Sequence, residues 1–130
     1  MEQLKHIGSL FEPDERFRGY GIRNHETGET RPVEIEDLQA EAPGLLLPEH
    51  VPVSIRDAFT TVLNLWLYGW FHYPFCTMAH VHGLLLVEPA ARNRAVREGL
   101  TDAENMSLRS LMEAARARGV SSLKDAPSFL

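Results

Sequence analysis

The chain has 130 residues, the length of one globular domain. Its apolar fraction of 44% and charged fraction of 24% are ordinary for a globular protein, and its net charge of −5 argues against a general nucleic-acid-binding protein, which is normally basic. A single cysteine excludes an intrachain disulfide framework, and the charged N-terminal residues predict no signal peptide, so we expect a cytoplasmic protein.

The first 52 residues are predicted to hold an N-terminal arm, a hairpin and an apolar strap, with little helix. Residues 24–28 have turn chemistry and separate two short segments, residues 17–23 and 29–35, which predicts a small β-hairpin. Pro32 confines the second segment to an edge strand. A short helical turn is expected after Glu34, and residues 45–47 are expected to lie as an apolar strap over the helices that follow.

Residues 58–87 contain no Asp, Glu, Lys or Arg, and they include both tryptophans and the only cysteine. A stretch of this composition has to be covered by a core, a partner or a membrane. A first long helix is predicted to begin near Ser54 as its N-cap. Pro74 interrupts the apolar stretch, and Asn64 would need a polar partner in lipid, so a membrane span is disfavoured.

The second half of the chain is predicted to be helical as well. Pro74 is expected to kink or break the first helix, and a second helix is expected over residues 75–87, with Pro89 as a kink or a new start. Residues 101–104 or Ser107 are the alternative caps of a last helix, which ends at Gly119.

These elements predict a mainly α fold, a small helical bundle with a kinked central helix pair and an N-terminal arm. One domain is expected, with the arm, hairpin and strap at residues 1–52, a helical core at residues 53–120 and a short tail at residues 121–130.

Three side chains at helical spacing, His72, Cys76 and His80, are candidate zinc ligands, because imidazole nitrogen and thiolate sulfur are the usual ligands of this metal. Pro74 disturbs the helix between the first two, so the alternative is that they fill gaps in the core. Cys76 could instead act as a nucleophile with a histidine as base, although a lone cysteine among apolar residues is more often an inert thiol. We therefore expect no cofactor, with zinc as the alternative.

Two candidate surfaces follow from the same pattern. Arg92, Arg94 and Arg97 could form a basic face for phosphate or RNA, and the competing interpretation is a solvated helix face. The first helix is apolar nearly all round, so a second copy of the chain is expected to cover its aromatic side, which makes the protein a homodimer. The predicted interface residues are Phe59, Trp66, Trp70 and Tyr73.

Residues 51–120 resemble helical proteins of the HEPN type. The resemblance rests on a helix opened by Val51-Pro52, a Tyr-Gly-Trp-Phe-x-Tyr segment at residues 68–73, a Glu-x-Ala-x-Arg end at residues 88–92, and a Leu-x-x-Leu-Met-x-x-Ala helix at residues 108–115. HEPN-type modules are prokaryotic and are linked to RNA cleavage or nucleotide binding in toxin and defence systems.

The resemblance assigns no catalytic residue in this chain. The catalytic mark of the family is an Arg followed after four to six residues by a His on a late helix, whereas here only Arg18 and His25 have that spacing, in the predicted hairpin region, and no histidine follows His82. The resemblance therefore implies a non-catalytic interaction or regulatory module, or a catalytic helix beyond Leu130. An RNA-cleaving or metal-dependent enzyme is the alternative, and a protein partner is possible in either case.

Overall fold

The computed structural model describes residues 4–117 of the chain. These residues form four α-helices and one small antiparallel sheet of two strands, which confirms the prediction of a mainly helical fold with a short hairpin. Backbone contacts group the chain up to Leu84 into one compact unit and the chain from Leu85 onward into a second. The boundary lies inside a long helix, whereas the sequence suggested one helical block over residues 53–120.

The first unit begins with the arm, residues 4–19, which contains two short 3-10 helices at Ile7–Ser9 and Glu15–Gly19. The hairpin follows. Strand β1 (Gly21–Arg23) pairs antiparallel with β2 (Thr30–Pro32), and every residue of both strands is exposed.

The hairpin turn is closed by Asn24, whose side-chain oxygen accepts hydrogen bonds from the backbone N–H groups of Glu26 at 2.8 Å and Thr27 at 3.3 Å. Gly28 completes the turn with φ +74°, a left-handed conformation that favours glycine. The strands are shorter than the segments expected from the sequence, because the 3-10 helix Glu15–Gly19 takes the start of the first segment and a helix begins at the last residue of the second.

Helix α1 (Ile35–Glu41) is connected to the hairpin by an ion pair. Both oxygens of Asp37 accept from the Arg31 guanidinium, at 2.7 and 2.5 Å. Asp37 also accepts from the backbone N–H of Glu34 as part of a capping box. The hydrogen bond from Arg31, followed by that from Glu34, lowers the pKa of the Asp37 carboxyl to about 2. A 3-10 helix, Ala42–Leu45, continues α1.

Helix α2 (Val53–Tyr68) contributes Ile55, Val62 and Leu63 to the buried core of the first unit. Its N-cap is Pro52 and not Ser54, because the Pro52 carbonyl already accepts the first helical hydrogen bonds. The helix is followed by the α2–α3 turn, residues 69–73.

Helix α3 (Pro74–Arg97) begins directly at Pro74, so this proline opens the second helix and does not kink the first. Pro89 lies inside the continuous helix. Gly83 of α3 faces α2, since a methyl group built on it would lie 3.7 Å from a side-chain methyl of Val62. No helix within residues 4–117 combines the length and the apolar composition needed to cross a lipid bilayer.

The second unit has a small core formed by Ala95, Ala103 and Leu111. Gly99, at φ +74°, follows the end of α3, as the sequence predicted. Helix α4 (Leu108–Ala117) is capped by Ser107, whose hydroxyl accepts from the backbone N–H of Ser110 at 3.2 Å. The alternative cap at residues 101–104 is instead a turn. The predicted Gly119 cap and the tail lie outside the described residues.

Gly69 allows the closest backbone approach in the first unit. A Cβ atom at this position would lie 2.1 Å from the Cys76 sulfur and 2.8 Å from the Trp66 carbonyl oxygen. Both distances are shorter than van der Waals contact, and the carbonyl belongs to the backbone of α2. Any larger residue at position 69 therefore has to push the start of α3 away from the end of α2.

We expect Gly69→Ala to lower the free energy of unfolding by about 1–3 kcal/mol, because overpacking forces the backbone to shift. Chemical denaturation of the purified variant measures this loss. Gly44→Ala is the matched control, since no atom lies within 4 Å of the added methyl group and its φ is not positive. Equal stability of the two variants would contradict the proposed contact.

Candidate functional site

The arm is attached to the α2–α3 turn through Asp14, which is only 7% exposed. Its Oδ2 accepts a hydrogen bond of 2.9 Å from the backbone N–H of Tyr73. The backbone N–H of Asp14 in turn donates to the Trp70 carbonyl at 2.8 Å. Its Oδ1 accepts from the backbone N–H of Arg16 at 3.1 Å and lies 3.2 Å from the Arg16 Nε. Asp14 thus links the arm to the turn both as a donor, through its backbone N–H, and as an acceptor, through its carboxylate.

The environment of Asp14 favours its ionised form. Burial raises the pKa of the carboxyl, but the backbone N–H groups of Tyr73 and Arg16 and the charges of Arg16 and Lys5 together outweigh it, so the pKa lies below its ordinary value. The link is therefore a carboxylate that accepts charge-assisted hydrogen bonds, and these are stronger than neutral ones.

Aromatic contacts extend the link on both sides of Asp14. The Phe17 ring lies 5.1 Å from the Trp70 ring and 5.8 Å from the Tyr73 ring, measured between centroids. The Arg16 guanidinium carbon lies 5.0 Å from the centroid of Tyr73. The Phe11 ring meets the ring of Phe71 edge-on at 6.0 Å. The arm thus covers the aromatic side of the turn.

The four residues predicted as a dimer interface lie in different environments. Trp70 is buried, at 8% exposure, and its own chain covers it through Phe17. Phe59, Trp66 and Tyr73 are half-buried. Their pairing with a second copy stays a prediction, and the arm already occupies the Trp70 and Tyr73 part of that surface.

Several exposed apolar side chains of the uncharged stretch lie on α3. Met78, Val81 and Leu84 are 45%, 50% and 59% exposed. They are three residues apart along the helix and therefore share one side of it. We call these three side chains the α3 apolar face. Residues 74–87 of this helix include no Asp, Glu, Lys or Arg, and Glu88 follows one turn after Leu84.

The candidate zinc ligands do not assemble into a site. Among residues 4–117, no three His, Cys, Asp or Glu side chains are placed to hold one metal ion. His72 lies in the turn with its ring against Phe75, at 5.2 Å, and His80 is exposed on α3. Cys76 points toward the end of α2, where its sulfur lies 3.9 Å from the Trp66 carbonyl.

Cys76 is held as a thiol. Burial, together with the negative charge of Asp14, raises its pKa. Because the thiolate is the nucleophile, this environment lowers the reactivity of the side chain.

The three candidate phosphate-binding arginines have different roles in the second unit. Arg92 donates to the carbonyl oxygens of Ala103 at 2.5 Å, Glu104 at 2.6 Å and Met106 at 3.0 Å, and it pairs with Glu88. Its guanidinium therefore organises the segment before α4.

The other two arginines lie on the helix surface. Arg94 pairs with Glu98 one helical turn away, at 2.8 Å, and Arg97 is exposed. Of the three, Arg92 has its donors directed at backbone carbonyls.

No pattern in the sequence singles out Asp14 or Phe17. Pro13-Asp14 is a usual start for a short helix, and Asp14 does cap the second 3-10 helix of the arm. Its second role depends on Tyr73, which is 59 residues away in sequence. No local pattern signals a contact at that separation.

Comparisons of the chain with protein-family models, with curated proteins and with solved structures found no significant match.

Acid should weaken the link at Asp14. Because its folded pKa lies below the ordinary value of 3.8, its contribution is present above about pH 4 and is lost as pH falls through the folded pKa. We expect Asp14→Asn to lower the free energy of unfolding at pH 7 by about 1–3 kcal/mol, because an amide accepts only one of the two hydrogen bonds.

The measurement is urea unfolding at pH 7 and at pH 3. The variant should lose less stability on acidification than the wild type, with Asp37 supplying the remaining pH dependence. Glu15→Gln removes an exposed carboxylate from the same arm and serves as control. An unchanged pH dependence in Asp14→Asn would refute this account of the link.

Loss of Arg92 should destabilise the second unit. We expect Arg92→Ala to cost about 1–3 kcal/mol in unfolding free energy, because backbone carbonyls lose their donor. Arg92→Lys should recover only part of this, since an ammonium group cannot reproduce the fork of the guanidinium. Arg109→Ala removes an exposed pair with Glu113 and should change stability by less than about 0.5 kcal/mol. Denaturant titration followed by circular dichroism compares the three variants.

Proposed function

We propose that the protein is a non-catalytic helical interaction module that acts as a homodimer, with the α3 apolar face as the contact surface. The observation that supports this proposal is the exposure of Met78, Val81 and Leu84 on a helix segment without formal charge. Neighbouring exposed apolar side chains on one helix side are typical of surfaces that a partner covers.

A second copy of the chain suits this face because of its charge. Between Asp57 and Glu88 the sequence has no Asp, Glu, Lys or Arg. The three side chains therefore bring no formal charge to a twofold contact with their own copy, and Glu88 at the edge of the face is paired with Arg92. A strongly charged partner would find no opposite charge there and would have to lose the hydration of its own charges.

The size of the face sets the expected strength of the pair. Burying a Val, Leu or Met side chain completely is worth about 1.5–3 kcal/mol, so each half-exposed side chain offers about 1 kcal/mol. Six such side chains in a symmetric pair offset only the lower part of the ~4–15 kcal/mol that association costs. We therefore expect a weak, reversible dimer that forms at about millimolar concentration or above.

The biological setting we propose follows from the resemblance to HEPN-type proteins. Residues 51–120 share the order of their helical patterns, and the Arg and His of the family's catalytic mark are not found together on a late helix up to Leu130. A regulatory or scaffolding role in a prokaryotic toxin or defence system fits such a module better than RNA cleavage does.

Sedimentation velocity over a concentration series tests the dimer. Wild type should shift from monomer toward dimer as its concentration rises, and Val81→Glu should stay monomeric because it places a charge in the centre of the face. Gln39→Glu adds the same charge at an exposed position of α1 and should behave as wild type. Either a wild type that stays monomeric at about millimolar concentration or a dimeric Val81→Glu would refute the proposal.

A further inference from the structure

The two edges of the hairpin differ in the backbone groups that they present to solvent. Gly21 lies opposite Pro32, and just before this pair the Tyr20 carbonyl accepts a hydrogen bond of 3.2 Å from the Val33 N–H. Hydrogen-bonded and non-hydrogen-bonded pairs alternate along an antiparallel ladder. Gly21, and Arg23 two residues later, therefore direct their N–H and C=O groups away from β2.

The outer edge of β2 is blocked. Pro32 has no N–H group, and its carbonyl already accepts from the Arg31 guanidinium at 3.1 Å. The same guanidinium is fixed in place by both oxygens of Asp37. A proline at the outward position of a strand is a usual device that prevents further strand pairing.

The outer edge of β1 is open. Within residues 4–117, the backbone groups of Gly21 and Arg23 have no hydrogen-bond partner. The apolar side chains of Tyr20 and Ile22 share one face of the strand and are 56% and 37% exposed. Arg23 is exposed on the opposite face, and its guanidinium forms no ion pair with any described residue.

We infer that the β1 edge is a docking site for an extended segment of a partner protein, which adds to the hairpin as a third, antiparallel strand and places an acidic side chain opposite Arg23. Backbone hydrogen bonds to Gly21 and Arg23 supply the attraction, as in other cases of strand addition. Opposite charges across two strands favour pairing, and like charges disfavour it. Ile22 selects a β-branched side chain on the other face of the same segment.

The charge of Arg23 also decides between partners. Strand β1 has the sequence Gly-Ile-Arg, so the same strand of a second copy has no acidic residue to place opposite Arg23. A different protein with an acidic, β-branched segment therefore fits this edge better than a second copy does. The β1 edge shares no residue with the α3 apolar face, so this inference does not depend on the proposed dimer.

The test measures amide hydrogen exchange by NMR in the full-length chain carrying Val81→Glu, which removes the proposed α3 contact. The probe is acetyl-Thr-Thr-Glu-Val-Thr-Thr-amide at about 10 mM, since a few backbone hydrogen bonds offset little more than the cost of association. The peptide should slow exchange at Gly21 and Arg23 by about threefold or more, because their N–H groups become donors. The Thr30 amide, on the blocked edge, should not change.

A charge exchange tests the specificity of the same edge. In Arg23→Glu, the preference should reverse by about fivefold in favour of a peptide with Lys in place of Glu. Arg109→Glu makes the same charge change in the second unit, where Arg109 is exposed, and should keep the preference for the acidic peptide.

Three results would overturn the inference. The first is unchanged exchange at Gly21 and Arg23 with the acidic peptide present. The second is equal slowing at Thr30, which would indicate non-specific association. The third is an Arg23→Glu chain that still prefers the acidic peptide. If this variant loses the hairpin, as judged by faster exchange of the Ile22 amide, Arg23→Gln replaces it, with loss of the preference as the expected result.

Discussion

Asp14 binds where the end of α2 and the beginning of α3 lie close together, on either side of the α2–α3 turn. At the end of α2 the carbonyl groups have no partner within the helix, and Asp14 donates its backbone N–H to one just beyond that end, at Trp70. At the beginning of α3 the N–H groups have no helical partner, and the side chain of Asp14 accepts one of these from Tyr73. Asp14 therefore provides a donor for one carbonyl beyond the end of α2 and an acceptor for one N–H group at the beginning of α3.

Helix electrostatics strengthen this arrangement. The N-terminus of a helix carries a partial positive charge, and a carboxylate is stabilised next to it. The carboxylate of Asp14 lies at the N-terminus of α3, which agrees with the direction of its pKa shift, although burial acts in the opposite sense. Phe17 then covers Trp70, so that the polar link and the aromatic contact protect each other from water.

Much of the fold could be predicted from local chemistry. The hairpin follows from the turn residues at 24–28, the start of α3 from Pro74, and the end of the same helix from Gly99. The N-cap of α2 was predicted wrongly from side-chain preference, because a backbone carbonyl caps this helix. Ser54 is a good N-cap residue, but the Pro52 carbonyl takes the first hydrogen bonds, so the helix begins one residue before Ser54.

The candidate sites were harder to predict, because composition does not say which side of a helix is covered. The uncharged stretch suggested an aromatic interface at Trp70, yet an arm residue outside that stretch covers it. Arg92 looked like part of a basic surface, yet its charge is directed at the carbonyls of residues 103, 104 and 106. In each case the deciding partner lies more than ten residues away, beyond the reach of periodicity.

The close approach of Gly69 to Cys76 gives the chain an intrinsic probe of the packing between α2 and α3. Thiol reagents attach a group to sulfur, and here the sulfur lies where a methyl group on the neighbouring residue would not fit. The raised pKa slows the same chemistry further. Because Cys76 is only half-buried, a reagent reaches its sulfur from the open side of the folded chain, and the rate of alkylation reports how tightly the two helix ends are packed around it.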